Sequence, residues 1–176
     1  MASVCLLTGK PGTGKTTVIR QAVAGSRANA GGFYTEEIRS SGIRQGFRLT
    51  TLDGQEAVLS HVDNKSRYRV SKYGVDIDSL ENVGVAAIER AIEQSDLVVI
   101  DEIGKMELFS PRFQEAVLRA IDSGKKVLGT IMLNPHPLAD RIKRRPDVKV
   151  IEVTRNNHAQ VLASIKNWLT TSCLSF

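Results

Sequence analysis

Three glycines, two lysines and two threonines crowd into eight consecutive residues that come almost directly after a short apolar run. The run is Val-Cys-Leu-Leu at residues 4–7, and residues 9–16 read Gly-Lys-Pro-Gly-Thr-Gly-Lys-Thr. These eight residues match the pattern G-x-x-x-x-G-K-[ST] at every fixed position. A loop of this kind gathers backbone N–H groups at the start of a helix, where they hold phosphate oxygens. The sequence therefore predicts a strand–loop–helix unit that binds a nucleoside triphosphate.

Each fixed position of this phosphate loop has a chemical reason. Glycines adopt positive φ angles without a Cβ clash and let the backbone approach an anion. The Lys15 ammonium can reach the β- and γ-phosphates, and the Thr16 hydroxyl can bind Mg²⁺. Lys15 is also predicted to be catalytic. The residues predicted to bind the nucleotide here are Gly9, Lys10, Pro11, Gly12, Thr13, Gly14, Lys15, Thr16 and Thr17.

The composition is that of an ordinary globular chain, with 41% hydrophobic and 24% charged residues among 176, and it favours one domain over residues 1–176. The net charge of +5 suits anionic ligands; nucleotide phosphates explain it, and nucleic acid stays open as a partner. No apolar run is long enough to span a membrane, and no targeting pattern precedes the first strand, so the expected location is the cytoplasm or the nucleus. A prenylation pattern begins at Cys173, with a frayed tail as the alternative.

Strand-like and helix-like segments alternate along most of the chain. The β-branched runs lie at residues 98–100, 127–131 and 148–151. Apolar residues at helical spacing follow each run, and this alternation predicts an α/β fold, a parallel sheet covered by helices on both faces. Helices are expected to begin at Asp78, with Glu81 completing a capping box, at Ser110, and after Asn157.

The segment between the first helix and Asp78 has a different pattern. Strand-like runs at residues 32–35, 46–50 and 57–59 follow one another with only turns between them. The pair Asp53-Gly54 is typical of a two-residue hairpin turn. These signals predict an antiparallel excursion over approximately residues 40–75.

A second half of the nucleotide site is indicated where an apolar strand, residues 97–100, ends in Asp101 and Glu102. Because the carboxyl ends of strands line the ligand crevice of an open α/β sheet, Asp101 is predicted to bind Mg²⁺ together with Thr16 and to contact the nucleotide. Glu102 is predicted to orient the attacking water and accept its proton. An acidic strand end by itself is also common at an ordinary loop start; the phosphate loop makes it typical of a Walker B segment.

The strings Asp-Glu-Ile-Gly-Lys-Met-Glu-Leu-Phe at 101–109 and Gly-Phe-Tyr-Thr-Glu-Glu-Ile-Arg at 32–39, together with the phosphate loop, resemble the THEP1-type nucleoside-triphosphatases. Vertebrate members of that family are called cancer-related nucleoside-triphosphatase. The resemblance implies a P-loop NTPase domain related to RecA-like ATPases. It also implies hydrolysis of the γ-phosphate of ATP, GTP and other nucleoside triphosphates with little base preference. The residues alone leave two alternatives, a nucleotide or small-molecule kinase and a nucleic-acid-associated regulatory NTPase.

Three further polar residues lie within these strings. Lys105 can reach a phosphate or lie on the surface over the next helix. Glu36 and Glu37 stand at a strand end, where successive side chains point to opposite faces. At most one of these two glutamates is therefore expected to face the crevice and bind water or metal.

The last candidates are basic and aromatic residues. Arg141, Arg144 and Arg145 are predicted to share one face of a short helix near the nucleotide side of the sheet. One of them would stabilise the transition state, or all three belong to a solvated helix face. Tyr73 belongs to a basic and aromatic segment that suits an ordinary hairpin, a base-stacking lip or a nucleic-acid surface. The three histidines have no metal-ligand spacing.

Overall fold

The computed structural model describes residues 2–171, so Cys173 and its prenylation pattern lie outside the described residues. The strands are β1 (Val4–Thr8), β2 (Ala30–Ser40), β3 (Ile43–Thr51), β4 (Glu56–His61), β5 (Arg69–Val70), β6 (Tyr73–Val75), β7 (Leu97–Ile103), β8 (Lys126–Ile131) and β9 (Val148–Glu152). The helices are α1 (Lys15–Ala24), α2 (Ile77–Ser79), α3 (Ala86–Gln94), α4 (Pro111–Asp122), α5 (Pro137–Lys143) and α6 (His158–Thr170). No helix within residues 2–171 is long and apolar enough to cross a membrane.

The strands form one sheet in the order β5-β6-β4-β3-β2-β7-β8-β1-β9. The five strands from β2 to β9 in this order pair in parallel. Strand β1, which leads into the phosphate loop, lies between β8 and β9, and β8 separates it from the acidic end of β7. The carboxyl ends of β1, β7 and β8 therefore meet at one edge of the sheet.

Helices cover both faces of the parallel strands, as the alternation of elements predicts. Val4 and Leu6 of β1 pack in a core that includes α3, α4 and α5, whereas Cys5 and Leu7 pack with α1 and α6. All five residues of β1 are buried, which is the pattern of a parallel strand with helices on each side. Burial raises the pKa of the Cys5 thiol to about 11.

The helix predicted to begin at Asp78 begins earlier. Asp76 is its cap, because its carboxylate accepts a hydrogen bond of 2.9 Å from the backbone N–H of Ser79. A π-helical turn (Leu80–Val85) joins α2 to α3, so the whole segment is continuous. The predicted capping box of Asp78 and Glu81 is wrong: Asp76 is the cap, which its residue type also fits, and the Glu81 carboxylate instead accepts a 2.7 Å hydrogen bond from the Ser110 hydroxyl. Helix α4 is capped by Ser110 as predicted, with Phe113 N–H donating at 3.1 Å.

The antiparallel strands extend the same sheet and begin earlier than residue 40. Residues 30–33 of β2 pair in parallel with β7, and residues 33–40 pair antiparallel with β3. Strand β2 thus belongs to both parts of the sheet. Four residues separate β3 from β4, rather than the two expected from Asp53-Gly54, because Thr51 N–H bonds to the Gln55 carbonyl and Gly54 takes a φ of 93°.

Candidate active site

The phosphate loop joins the end of β1 to the start of α1. Gly9, Gly12 and Gly14 have φ angles of 139°, 75° and 85°, a region that side chains with a Cβ rarely adopt. The Lys15 ammonium donates hydrogen bonds of 2.9 Å to the carbonyl oxygens of Gly9 and Lys10. These contacts curl the lysine back over the loop, so its charge lies where the predicted phosphates would bind.

The other predicted residues of the loop differ in exposure. Lys10, Pro11, Gly12 and Thr17 are exposed, Thr13 is buried, and Gly14, Lys15 and Thr16 are half-buried. Thr13 is fixed because its hydroxyl donates to the Lys10 carbonyl at 2.9 Å. Gly9 packs against the chain that follows β9, since a Cβ at this position would lie 2.5 Å from the carbonyl oxygen of Val153. The loop is therefore braced from its β9 side as well as from within.

Asp101 is the point where the loop meets the acidic strand. Its carboxylate accepts 2.7 Å hydrogen bonds from the hydroxyls of Thr16 and Thr130, and the residue is only 2% exposed. Burial raises the pKa of Asp101, while the two hydroxyl donors, the charge of Arg20 and the backbone N–H of Thr35 oppose the rise. The structure thus brings together the two residues predicted to bind Mg²⁺, and it adds Thr130 from the neighbouring strand.

Glu102 follows Asp101 through a cis peptide bond and is half-buried. Burial first, and then the charge of Asp101, raises the pKa of Glu102 to about 7, with Lys15 acting in the opposite direction. The carboxylate lies over Gly104, where a Cβ would come within 2.4 Å of Oε1. Glu102 is therefore a carboxylate with raised basicity, held close to the phosphate loop.

A third acid, Glu107, belongs to the same cluster and is 3% exposed. It lies on a single turn of 3₁₀ helix (Glu107–Phe109). Burial and the charge of Glu102 raise the pKa of Glu107 well above its ordinary value; hydrogen bonds from its own N–H and that of Gly104 counteract this in part. Three carboxyl groups thus lie together at and just after the strand end, where the charge of Asp101 raises the pKa of Glu102 and the charges of Glu102 and Asp101 raise the pKa of Glu107.

Glu36 and Glu37 each have arginine partners. Glu36 pairs with Arg20 of α1 at 2.5 Å. Glu37 pairs with Arg39 at 2.6 Å and with Arg44 at 3.0 Å, and its pKa is lowered, first by the hydrogen bond from Arg44. Of the two, Glu36 is linked to the acidic strand end, because the charge of its partner Arg20 also acts on Asp101.

Tyr73 does not form a lip for a base. It is 5% exposed, its ring contacts Phe47 edge-on at 5.7 Å, and its hydroxyl accepts a 2.9 Å hydrogen bond from Arg44. The prediction that Tyr73 can stack on a base is therefore wrong: the ring is buried, with Phe47 against it and the Arg44 guanidinium 5.5 Å from its centre. The sequence indicated an aromatic residue among basic ones but not the face of the strand on which it lies.

Arg145 lies far from the phosphate loop. Its guanidinium pairs with Asp122 at 2.7 Å and with Asp147 at 2.9 Å. The carbonyl of Asp147 accepts a hydrogen bond from Val4, the first residue of β1, whereas the phosphate loop follows the last residue of that strand. The prediction that Arg145 lies near the nucleotide is therefore wrong. Helix α5 runs back along the sheet and carries its final residues to the opposite edge.

Arg144, Arg141 and Lys105 have different surroundings. Arg144 caps α5 and donates from Nε to the Asp140 carbonyl of its own helix at 3.1 Å, so it too belongs to the far end of α5. Arg141 and Lys105 are exposed. Lys105 directly follows Gly104, next to the acidic cluster, and Arg141 lies two residues before the end of α5.

Sequence reasoning missed four residues that contact or influence this site: Thr130, Glu107, Arg20 and His158. Thr130 could have been found, because it stands at the carboxyl end of the strand adjacent to β7. Glu107 lies inside the string that carries the family resemblance. The position of Arg20 and the contact of His158 with the phosphate loop depend on helix packing, for which the sequence offers no signal.

Comparisons with known proteins agree with this geometry. A family model described as "NTPase" matches residues 4–166. The chain is 48% identical over 160 residues to "Nucleoside-triphosphatase THEP1" of Thermotoga sp. (strain RQ2), covering 91% of each chain. It is 40% identical to "Cancer-related nucleoside-triphosphatase" of Homo sapiens, over 98% of this chain and 99% of that one. The crystal structure of THEP1 from the hyperthermophile Aquifex aeolicus superposes with a TM-score of 0.88 at 35% identity, covering 96% and 99% of the two chains. The predicted α/β P-loop fold and the resemblance are both confirmed, and the chain belongs to the NTPase family of nucleoside-triphosphatases.

Proposed function

We propose that nucleoside triphosphates are hydrolysed at the sheet edge where β1, β7 and β8 end, with nucleoside diphosphate and phosphate as products. Residues 9–17 hold the phosphates, and Lys15 neutralises the charge on the transferred group. The observation that carries this assignment is the 2.7 Å hydrogen bond between Thr16 and Asp101. It joins the phosphate loop to the acidic strand end across 85 residues of sequence.

The residues at this junction fit Mg²⁺. The Thr16 hydroxyl and the Asp101 carboxylate are oxygen donors, which this cation prefers, and Asp101 is one of the few buried charged groups in residues 2–171. When bound, Mg²⁺ supplies positive charge to the β- and γ-phosphate oxygens. Thr130 holds Oδ1 of Asp101 from the neighbouring strand, while Oδ2 accepts from Thr16 of the phosphate loop, so both hydroxyls fix the orientation of the carboxylate.

Glu102 orients the attacking water and accepts its proton. Its raised pKa of about 7 makes it a better proton acceptor than an ordinary carboxylate, and it still ionises near neutral pH. The proposed contacts concern the phosphates, which all nucleoside triphosphates share, and this supports broad base tolerance.

Two secondary proposals concern neighbouring residues. Lys105 contacts a phosphate, and Glu36, paired with Arg20, helps to orient water.

The test is phosphate release measured across a panel of nucleoside tri- and diphosphates, with and without Mg²⁺ and with and without RNA or DNA. Lys15→Ala is expected to weaken nucleotide binding and to abolish turnover. Phosphate release at an undiminished rate in that variant would refute the site. Turnover that needs a second phosphate acceptor would favour a kinase, and a large salt-sensitive acceleration by nucleic acid would favour a regulatory NTPase.

The location of the protein needs a separate test. The chain is expected to act in the cytoplasm or the nucleus, which imaging of a tagged full-length chain would test. Signal confined to a membrane would instead point to lipid attachment at Cys173.

A further inference from the structure

His158, the first residue of α6, contacts the phosphate loop from outside the site described above. Its Nε2 forms a short hydrogen bond with the carbonyl oxygen of Thr13. The imidazole also lies 3.2 Å from the position that a Cβ on Gly14 would occupy. A side chain at Gly14 would therefore crowd this ring, and the glycine serves the histidine contact as well as the backbone angle.

The chemistry of the contact fixes its direction. A carbonyl oxygen only accepts, so Nε2 must carry the proton, and the imidazole donates in this arrangement. The Thr13 carbonyl and the Gly14 N–H belong to one planar trans peptide unit and point in opposite directions. A donor that holds the carbonyl on the α6 side thus turns the Gly14 N–H toward the other side, where the loop amides converge.

We propose that His158 is a positioning residue for nucleotide binding: it fixes the Thr13–Gly14 peptide so that the Gly14 N–H faces the bound phosphates. The histidine does not touch the nucleotide. It acts through the loop backbone, and it draws electron density from the Thr13 carbonyl, which makes the Gly14 N–H a stronger donor. This proposal rests on the phosphate-binding role proposed above for residues 9–17.

The segment before His158 is built to present the ring at a fixed place. Val153 N–H donates to the carbonyl of Thr8 at 2.8 Å, which ties this segment to the end of β1. The Asn157 side chain accepts from Thr154 N–H at 2.8 Å and donates to the Glu152 carbonyl at 2.9 Å. The loop after β9 is therefore hydrogen-bonded to the last residue of β1, directly before the phosphate loop, and is braced internally before the helix begins.

The expected consequence is a change in affinity with little change in turnover. The peptide orientation is needed equally by the bound triphosphate and by the transition state, because both carry the same bridging phosphates. An interaction of that kind lowers KM without raising kcat. Loss of His158 should therefore raise Kd and KM together and leave kcat nearly constant.

The test compares His158→Gln with His158→Asn in the full chain. The glutamine amide nitrogen can occupy the place of Nε2, whereas the shorter asparagine places its nitrogen near the Nδ1 position. Binding of a non-hydrolysable ATP analogue with Mg²⁺ is measured by calorimetry, and steady-state kinetics are measured with ATP. Gln160→Asn, an exposed polar residue in the same helical turn, is the matched control.

We expect His158→Asn to weaken binding about tenfold, the effect of one hydrogen bond, and His158→Gln to stay within about threefold of the parent chain. Equal affinities for all four proteins would overturn the proposal. So would a fall in kcat at constant Kd, or equal weakening by Asn and Gln. Lys15→Ala is measured in parallel to separate the two proposals. If Lys15→Ala leaves Kd unchanged, the phosphate site itself is misplaced. If Lys15→Ala weakens binding but the His158 variants do not, only the histidine proposal fails.

Discussion

Replacing Glu102 by Gln should make the protein inactive and more stable at once. Gln has the same shape as Glu, but it cannot ionise or accept the proton of the attacking water. Phosphate release should therefore fall by about 10²- to 10⁴-fold, the usual contribution of a general base. Nucleotide affinity should stay close to that of the parent chain, because Lys15 and the loop amides are unchanged.

The gain in stability follows from the raised pKa of Glu102. An increase from 4.5 to about 7 means that the folded protein holds the proton more tightly than the unfolded chain does. Protonated Glu102 therefore stabilises the folded state fully below pH 4.5, and this stabilisation is lost as the pH rises through 7. At pH 8 the folded state carries the full cost of the buried Glu102 charge. The upper limit is about 3 kcal/mol. Allowing for partial solvation and for sharing with Glu107, we expect Glu102→Gln to stabilise by about 1–2 kcal/mol at pH 8.

Urea denaturation at pH 4, 6 and 8 measures this effect. The chain has a single tryptophan, Trp168, which is 8% exposed and reports unfolding by its fluorescence. The difference in the free energy of unfolding should be near zero at pH 4 and grow steadily to pH 8. Glu115→Gln, an exposed acid on α4, is the control and should show no such trend. A stability difference independent of pH, or a variant less stable than the parent at pH 8, would refute the reasoning.

Three further substitutions test other parts of the site. Thr130→Val removes one of the two hydroxyl donors to buried Asp101 and should lower the free energy of unfolding by about 1–3 kcal/mol in urea titrations; no loss would mean that water replaces the donor. Gly104→Ala places a Cβ 2.4 Å from Oε1 of Glu102, so phosphate release should fall about tenfold or more at unchanged affinity. Full activity would show that Glu102 tolerates displacement. Arg145→Gln should cost at most about 1 kcal/mol, because its ion pairs are solvent-screened, and should leave kcat unchanged; a large loss of turnover would place an arginine of α5 in the mechanism after all.

The parts of the fold that were predictable from sequence are those whose signals are local. The phosphate loop, the buried run of β1 and the acidic end of β7 each show their pattern within a few residues. The rule that carboxyl ends of parallel strands line one crevice then predicts that Thr16 and Asp101 meet, and their hydrogen bond shows that they do. The start of the α2 helix was misplaced because Asp76 and Asp78 are both acceptable caps.

The residues that sequence reasoning missed or misplaced depend on tertiary packing. Tyr73 and Arg145 were assigned from their chemical character, but the face of a strand and the direction of a short helix decide where each one lies. Glu107 has no local signal, since a buried glutamate is recognisable only from what surrounds it. His158 had no metal-ligand spacing, and its contact with Thr13 arises from two segments that are 145 residues apart.

Strand β2 crosses the boundary between the parallel and antiparallel parts of the sheet, and this has a consequence for the cooperativity of local unfolding. Its backbone bonds to β7 at one end and to β3 along the other, and Thr35 within it donates to Asp101. The antiparallel strands therefore cannot open far without disturbing the ladder beside Asp101. Nucleotide binding should accordingly slow amide hydrogen exchange in β3 and β4, although these strands lie outside the phosphate site. The two strands and the phosphate site would then open together as one cooperative unit.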